Sequence, residues 1–222
     1  MSRIKICGLT RPEDIESVNC ALPDYVGFVF APSRRRVDIK TAKYLKSLLD
    51  PRITAVGVFV NQDPGLIADL IAAGVVDIAQ LHGEEDGAYI LDLKKRCGRP
   101  VIKTFGIGEP QGLTVNLTSL HARPARPTSL NASTASPADY VLFDTLSMQR
   151  GGSGATFDWR LLLDYSGPPY FLAGGLTAEN IPEALSLLNP FCIDVSSGAE
   201  TNGLKDRAKI NAIVSLARRS IR

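Results

Sequence analysis

The chain reads as one (β/α)8 barrel. Three observations predict it. Short strand-like runs alternate with helix-like runs along nearly the whole length, which means parallel strands joined by crossover helices. Eight such units fit within 222 residues, the size of a small barrel that forms one domain. Glycine-rich turns follow the last three strands, where barrels of this kind build phosphate sites. An open, doubly wound sheet would also alternate; the late glycine turns favour the barrel.

The first unit is Arg3 to Cys7, in which Ile4 and Ile6 alternate with charged residues. Period two is the mark of a strand. Gly8 ends it, and Thr10 with Glu13 has the spacing of a capping box for a helix carrying Ile15, Val18 and Leu22 on one face. Asp24 to Phe30 is the second strand, followed by a helix with Ala42, Leu45, Leu48 and Leu49. Thr54 to Phe59 comes third. Asp63-Pro64, a cap and a first-turn proline, opens its helix, with Leu66, Ile67, Leu70 and Ile71 inward. Asp77 to Leu81 is fourth, and Glu84 and Glu85 suit the positive end of the next helix.

Pro100 to Thr104 is the fifth strand and Asp139 to Asp144 the sixth. Between them, residues 109–137 hold four prolines and many Ser, Thr and Asn. This is an irregular surface insertion, with Leu113, Leu117 and Leu120 left for a short fifth helix. Pro169 to Ala173 and Phe191 to Ser196 complete the strands. Ile181, Ala184, Leu185 and Leu188 mark the seventh helix, and Ile210, Ile213, Val214, Ala217 and Ile221 the last.

Composition narrows the function. Hydrophobic residues make up 45% and charged residues 22%, with 25 basic against 23 acidic. That is a globular balance with no nucleic-acid footprint. Arg34-Arg35-Arg36 is the largest basic cluster and suits a small anionic ligand. The four cysteines, Cys7, Cys20, Cys97 and Cys192, lack metal or disulfide spacing. They fit a reducing, cytoplasmic setting. No secretory leader or membrane-crossing stretch is apparent.

Chemistry concentrates at strand ends, where barrel active sites lie. Cys7 ends the first strand, His82 the fourth and Asp144 the sixth, while Asp194 lies in the eighth. Partial burial of Asp144 would raise its pKa and suit it to act as an acid. Gly151-Gly152-Ser153-Gly154, Gly174-Gly175 and Ser196-Ser197-Gly198 follow strands six, seven and eight, where bare backbone N–H groups can cradle a phosphate. There is no G-x-S-x-G elbow and no P-loop. A thiol and a carboxyl above a phosphate cradle suit cofactor-free proton shuffling in a sugar phosphate. A phosphate sensor without activity, or a metal-dependent sugar-phosphate enzyme, are the competing readings.

These residues resemble the phosphoribosylanthranilate isomerases of tryptophan biosynthesis. The likeness rests on Lys5-Ile6-Cys7-Gly8-Leu9-Thr10, Val56-Gly57-Val58-Phe59, Gln80-Leu81-His82-Gly83, Gly151 to Gly154 with Phe157-Asp158-Trp159, Leu172 to Leu176 and Asp194 to Gly198. It implies an Amadori rearrangement of N-(5-phosphoribosyl)anthranilate to 1-(2-carboxyphenylamino)-1-deoxyribulose 5-phosphate. By position it makes Asp144 the general acid and Cys7 the general base, whose ionisation the helix opening at Thr10 would favour. It places Arg36 on the anthranilate carboxylate, and His82 and Asp194 around the substrate. Gly152, Ser153, Gly154, Gly174, Gly175, Ser196, Ser197 and Gly198 would hold the phosphate. Arg34 stands where the family usually has serine, so Arg34 and Arg35 remain alternatives to Arg36. The likeness implies no cofactor and a small-molecule substrate. It also implies a monomer or, since Glu200 to Asp206 is similar to fungal members, one domain of a fused pathway enzyme.

Overall fold

A computed structural model describes residues 2–107, 136–145 and 156–219. Eight parallel strands close into a barrel in sequence order: β1 (Arg3–Cys7), β2 (Tyr25–Val29), β3 (Thr54–Phe59), β4 (Ile78–Leu81), β5 (Val101–Ile107), β6 (Tyr140–Thr145), β7 (Tyr170–Leu172) and β8 (Cys192–Val195). β8 pairs with β1 in the register Asp194 to Lys5, so no sheet edge remains and the doubly wound alternative is excluded. The helices are α1 (Pro12–Ala21), α2 (Ile39–Leu48), α3 (Pro64–Ala72), α4 (Gly87–Cys97), α5 (Ile181–Leu187) and α6 (Arg207–Arg219). None of the described helices is long and apolar enough to cross a membrane.

The two faces of each strand meet different surroundings. Ile4 and Ile6 point outward and are buried beneath the helices with Ile15, Val18, Ile210, Ile213 and Val214. Each such side chain contributes about 1.5–3 kcal/mol when fully buried. The opposite face lines the barrel. Its lower part is apolar, with Val56, Ile78, Ile102, Leu142, Phe171 and Cys192 packed together. Tyr25 and Tyr140 stand edge-on to Phe171, at 5.5 and 5.7 Å between ring centres. Above this plug the inward positions turn polar: Lys5, Gln80, Thr104 and Asp194 are all buried.

Several helix starts differ from expectation. α1 begins at Pro12, and Asp14 rather than Glu13 reaches back, accepting from the Thr10 and Arg11 amides at 2.9 and 3.1 Å. Proline at the first helical position moves the cap one residue along, because that position needs no N–H. Asp86 caps α4 through the Tyr89 amide. Glu85 instead folds inward, accepting from the Asn61 and Gly83 amides and pairing with Lys103 at 2.8 Å. Asp63 caps α3 as expected. Leu48 is exposed, while Ala42, Leu45 and Leu49 carry the buried face of α2. Leu113, Leu117, Leu120 and Ile221 lie outside the described residues.

A small hairpin follows β8. Its strands, β9 (Glu200–Thr201) and β10 (Leu204–Lys205), are joined by Asn202 and Gly203. Both turn residues have positive φ, 52° and 80°. That is the Asn-Gly type I′ signature, and it sets Glu200 directly opposite Lys205.

Candidate active site

The site is built from period two. Because inward residues recur at every second position, Lys5 lies beneath Cys7, Gln80 beneath His82, Leu142 beneath Asp144, and Asp194 beneath Ser196. Cys7, His82, Asp144 and Ser196 thus share one rim, at the carboxyl end of the barrel.

Lys5 is fully buried beneath that rim. Its ammonium donates to Asp194 Oδ2 at 2.6 Å and to Gln80 Oε1 at 2.9 Å. Burial opposes its charge, but Asp194 and Cys7 beside it hold it protonated, above the usual lysine range. The other Asp194 oxygen, Oδ1, is buried and has no hydrogen-bond partner among the described residues. An unpaired buried carboxylate oxygen is costly, and it is an acceptor ready for a ligand hydroxyl.

Burial pushes the Cys7 thiol up, and Lys5 and Lys205 pull it back. These two lysines are positive groups that act on the sulfur. Lys205 is itself held in the rim by Ser196 O at 2.9 Å and Glu200 at 2.7 Å. Asp144 is pushed up to about 6 by burial and by the Asp194 charge, against a hydrogen bond from the Thr145 amide. His82 is held down at about 4 by burial and by Lys5. Its Nε2 stands 3.8 Å from Asp144 Oδ2. Near neutrality the ring is uncharged, and Asp144 keeps part of its protons.

The arginine cluster separates. Arg34 and Arg35 both bind Glu200, at 2.8 and 2.6 Å, and the Arg35 stem lies over Gly8, whose φ is +84°. Arg36 is exposed. Its side chain has no hydrogen bond or ion pair among the described residues, though its charge lowers the pKa of Asp38. Of the three, Arg36 is the one whose guanidinium pairs with no described residue.

The glycine turns divide as well. Gly174 and Gly175 both have positive φ, 86° and 64°. A β-carbon on Gly174 would lie 2.7 Å from the Thr145 nitrogen. Asn180 braces this turn, accepting from the Thr177 amide and donating to Gly175 O. Gly198 packs against the Leu176 backbone, and Ser196 Oγ donates to Cys7 O at 3.1 Å, tying β8 to β1. Gly152, Ser153 and Gly154 lie outside the described residues.

Lys5, Gln80, Glu200 and Lys205 belong to the site without having been expected there from the sequence. The signal for the first two was present, two residues before Cys7 and before His82. Asn202-Gly203 signalled the hairpin that carries the last two.

The chain is similar to known proteins over nearly all of its length. Residues 4–216 fit the model of the N-(5'-phosphoribosyl)anthranilate isomerase family. The chain belongs to that family. An N-(5'-phosphoribosyl)anthranilate isomerase from Endomicrobium trichonymphae is 46% identical, with 98% of this chain and 99% of the relative aligned. The crystal structure of a phosphoribosyl anthranilate isomerase from Thermotoga maritima superposes with a TM-score of 0.81 at 34% identity, covering 98% of this chain and 99% of that one. A third phosphoribosyl anthranilate isomerase was solved in complex with reduced 1-(o-carboxyphenylamino)-1-deoxyribulose 5-phosphate. It aligns at TM-score 0.77 and 31% identity over 98% of this chain and 99% of that one. Membership in the isomerase family agrees with a rim that holds a thiol and a carboxyl of raised pKa.

Proposed function

We propose that the barrel rim isomerises N-(5-phosphoribosyl)anthranilate to 1-(2-carboxyphenylamino)-1-deoxyribulose 5-phosphate, with Asp144 as acid and Cys7 as base. The activity is that of the family, an isomerase of tryptophan biosynthesis. The observation that carries the residue roles is the pair of opposed environments on one rim. Asp144 is pushed up to about 6, so it holds a proton to give. Cys7 faces two lysines, so its thiolate has cationic partners. Asp144 has an anionic neighbour in Asp194 that helps it keep its proton, whereas Cys7 has cationic neighbours that stabilise the thiolate once formed.

The steps follow from the substrate's bonds. Asp144 protonates the ribose ring oxygen as its bond to C1 breaks, and the anthranilate nitrogen lone pair closes a C=N bond. Cys7 thiolate takes the C2 proton. The C–H electrons form C1=C2, and the C=N electrons return to nitrogen. The resulting enolamine tautomerises to the ketone. One proton is given and one taken, so the reaction is a net isomerisation.

Around this pair, Arg36 takes the anthranilate carboxylate, as a planar guanidinium suits. Asp194 Oδ1 accepts a substrate hydroxyl. The turns at Gly174-Gly175 and Ser196 to Gly198, with Gly152 to Gly154, hold the phosphate. A biosynthetic role on a small molecule suits the cytoplasm. The test is turnover followed by anthranilate fluorescence. Cys7→Ala and Asp144→Ala are each expected to lose at least about a hundredfold in kcat with native circular dichroism. Near-native turnover in either folded variant would overturn the assignment.

A further inference from the structure

We infer that Gln80 is a positioning residue that fixes the tautomer of His82, keeping a proton on Nε2 and so barring Asp144 from discharging its own proton into the imidazole ring.

The inference follows from a chain of donors and acceptors with one consistent solution. Lys5 as an ammonium has three donors and no acceptor. Its 2.9 Å contact to Gln80 is therefore made by the amide oxygen. The amide nitrogen of Gln80 then turns to the other side, 3.2 Å from His82 Nδ1 and 3.4 Å from Thr104 Oγ1. An amide nitrogen only donates. His82 Nδ1 must accept, so it carries the lone pair, and in a neutral ring the proton resides on Nε2.

Nε2 is the atom facing Asp144, at 3.8 Å. With a proton there, the ring offers Asp144 no lone pair. The acid's remaining proton acceptor is the substrate oxygen. Once the proton has gone, the same N–H, 3.8 Å away, favours the charge of the new carboxylate through its dipole. With the other tautomer, the Nε2 lone pair would face the carboxyl and compete for its proton. Gln80 touches neither reacting atom; it acts through His82. It is buried and anchored by the same lysine that serves Cys7, so one cation orders both halves of the site.

This rests on the acid role assigned to Asp144, but its first test does not. Long-range 1H–15N correlation spectra of the free, ring-labelled protein are expected to show His82 as the neutral Nε2–H tautomer. The variant Gln80→Glu keeps an oxygen for Lys5 but presents His82 Nδ1 with a carboxylate, which only accepts. There the spectrum is expected to change to Nδ1–H or to a doubly protonated ring. The accompanying loss is expected in kcat, about tenfold or more, with KM nearly unchanged, since a general acid as a whole contributes at least about a hundredfold. In a His82→Ala background, Gln80→Glu is expected to cost little further. A wild-type ring in the Nδ1–H form would overturn the inference, whether or not Gln80→Glu folds. An equal kcat loss from Gln80→Glu with and without His82 would also overturn it, by showing a merely structural role. Native turnover in Asp144→Ala with the expected tautomer would instead count against the acid assignment and leave the tautomer relay standing.

Discussion

Gly27 stands directly opposite Cys7 on the β1–β2 ladder, and a β-carbon on it would lie 2.5 Å from the Cys7 sulfur. The glycine is the space the thiol occupies. A methyl group there must push the sulfur aside. Gly27→Ala is expected to cost about 1–3 kcal/mol of stability by overpacking and up to roughly a hundredfold in kcat by misplacing the base. Thermal melts and steady-state turnover on the same sample check it. Unchanged kcat would mean that the sulfur's position is not critical.

The pH profile of kcat/KM has an unusual assignment. The proposed mechanism needs Asp144 protonated and Cys7 ionised, yet Asp144 sits at about 6 and burial raises the thiol. Below pH 6 the acid is ready and the thiolate fraction falls tenfold per unit. Between the two pKa values the losses and gains cancel, giving a plateau. Above the thiol's pKa the protonated acid runs out. The acidic limb thus belongs to Asp144 and the alkaline limb to Cys7. Lys205→Met removes a cation that lowers the thiol's pKa, so its alkaline limb is expected to move up and its plateau to drop. A limb that stays in place would exclude Lys205 from this role.

The raised pKa of Asp144 carries a cost in stability. Its pKa is raised in the folded protein, so the native state binds more protons than the unfolded chain and stability falls as pH rises through about 6. Asp144→Asn is therefore expected to be inactive and more stable at pH 7. With one-third of the side chain exposed, the gain is on the order of 1 kcal/mol, or about 2–4 °C in Tm. The gain should shrink toward pH 4, where the wild-type acid is itself neutral. An Asn variant that melts lower than the parent at pH 7 would contradict this.

The three arginines are expected to separate by assay. Arg36→Met should raise KM by about tenfold or more, as loss of a charge-assisted pair does, with little change in Tm. Arg35→Met should lower Tm, because Arg35 packs over Gly8 and pairs with the buried Glu200. Arg34 is half exposed, and Arg34→Met should do little in either assay. A KM effect confined to Arg34 or Arg35 would move the carboxylate site.

Much of the barrel was legible because its signals are local. Period two located the strands, and β1 and β3 match their expected bounds. A strand end in an alternating α/β chain is a rim position, so Cys7, His82 and Asp144 could be placed together without knowing what lies between them. Helix starts were less legible where two residues compete for one cap, as Glu13 and Asp14 do.

The sequence by itself determined the order of elements, the rim and the thiol at its first position. It could not show what surrounds that thiol. In β1, the alternation of Ile with Arg and Lys resembles a strand with one wet face. Barrel closure turns that face inward and brings Lys5 against Asp194 and Gln80, 189 and 75 residues away. Likewise, three adjacent arginines look alike until the hairpin after β8 carries Glu200 across to two of them. Charge acts through space and depends on burial, so the raised pKa of Asp144 and the separation of Arg36 from Arg34 and Arg35 arise only when the chain closes on itself.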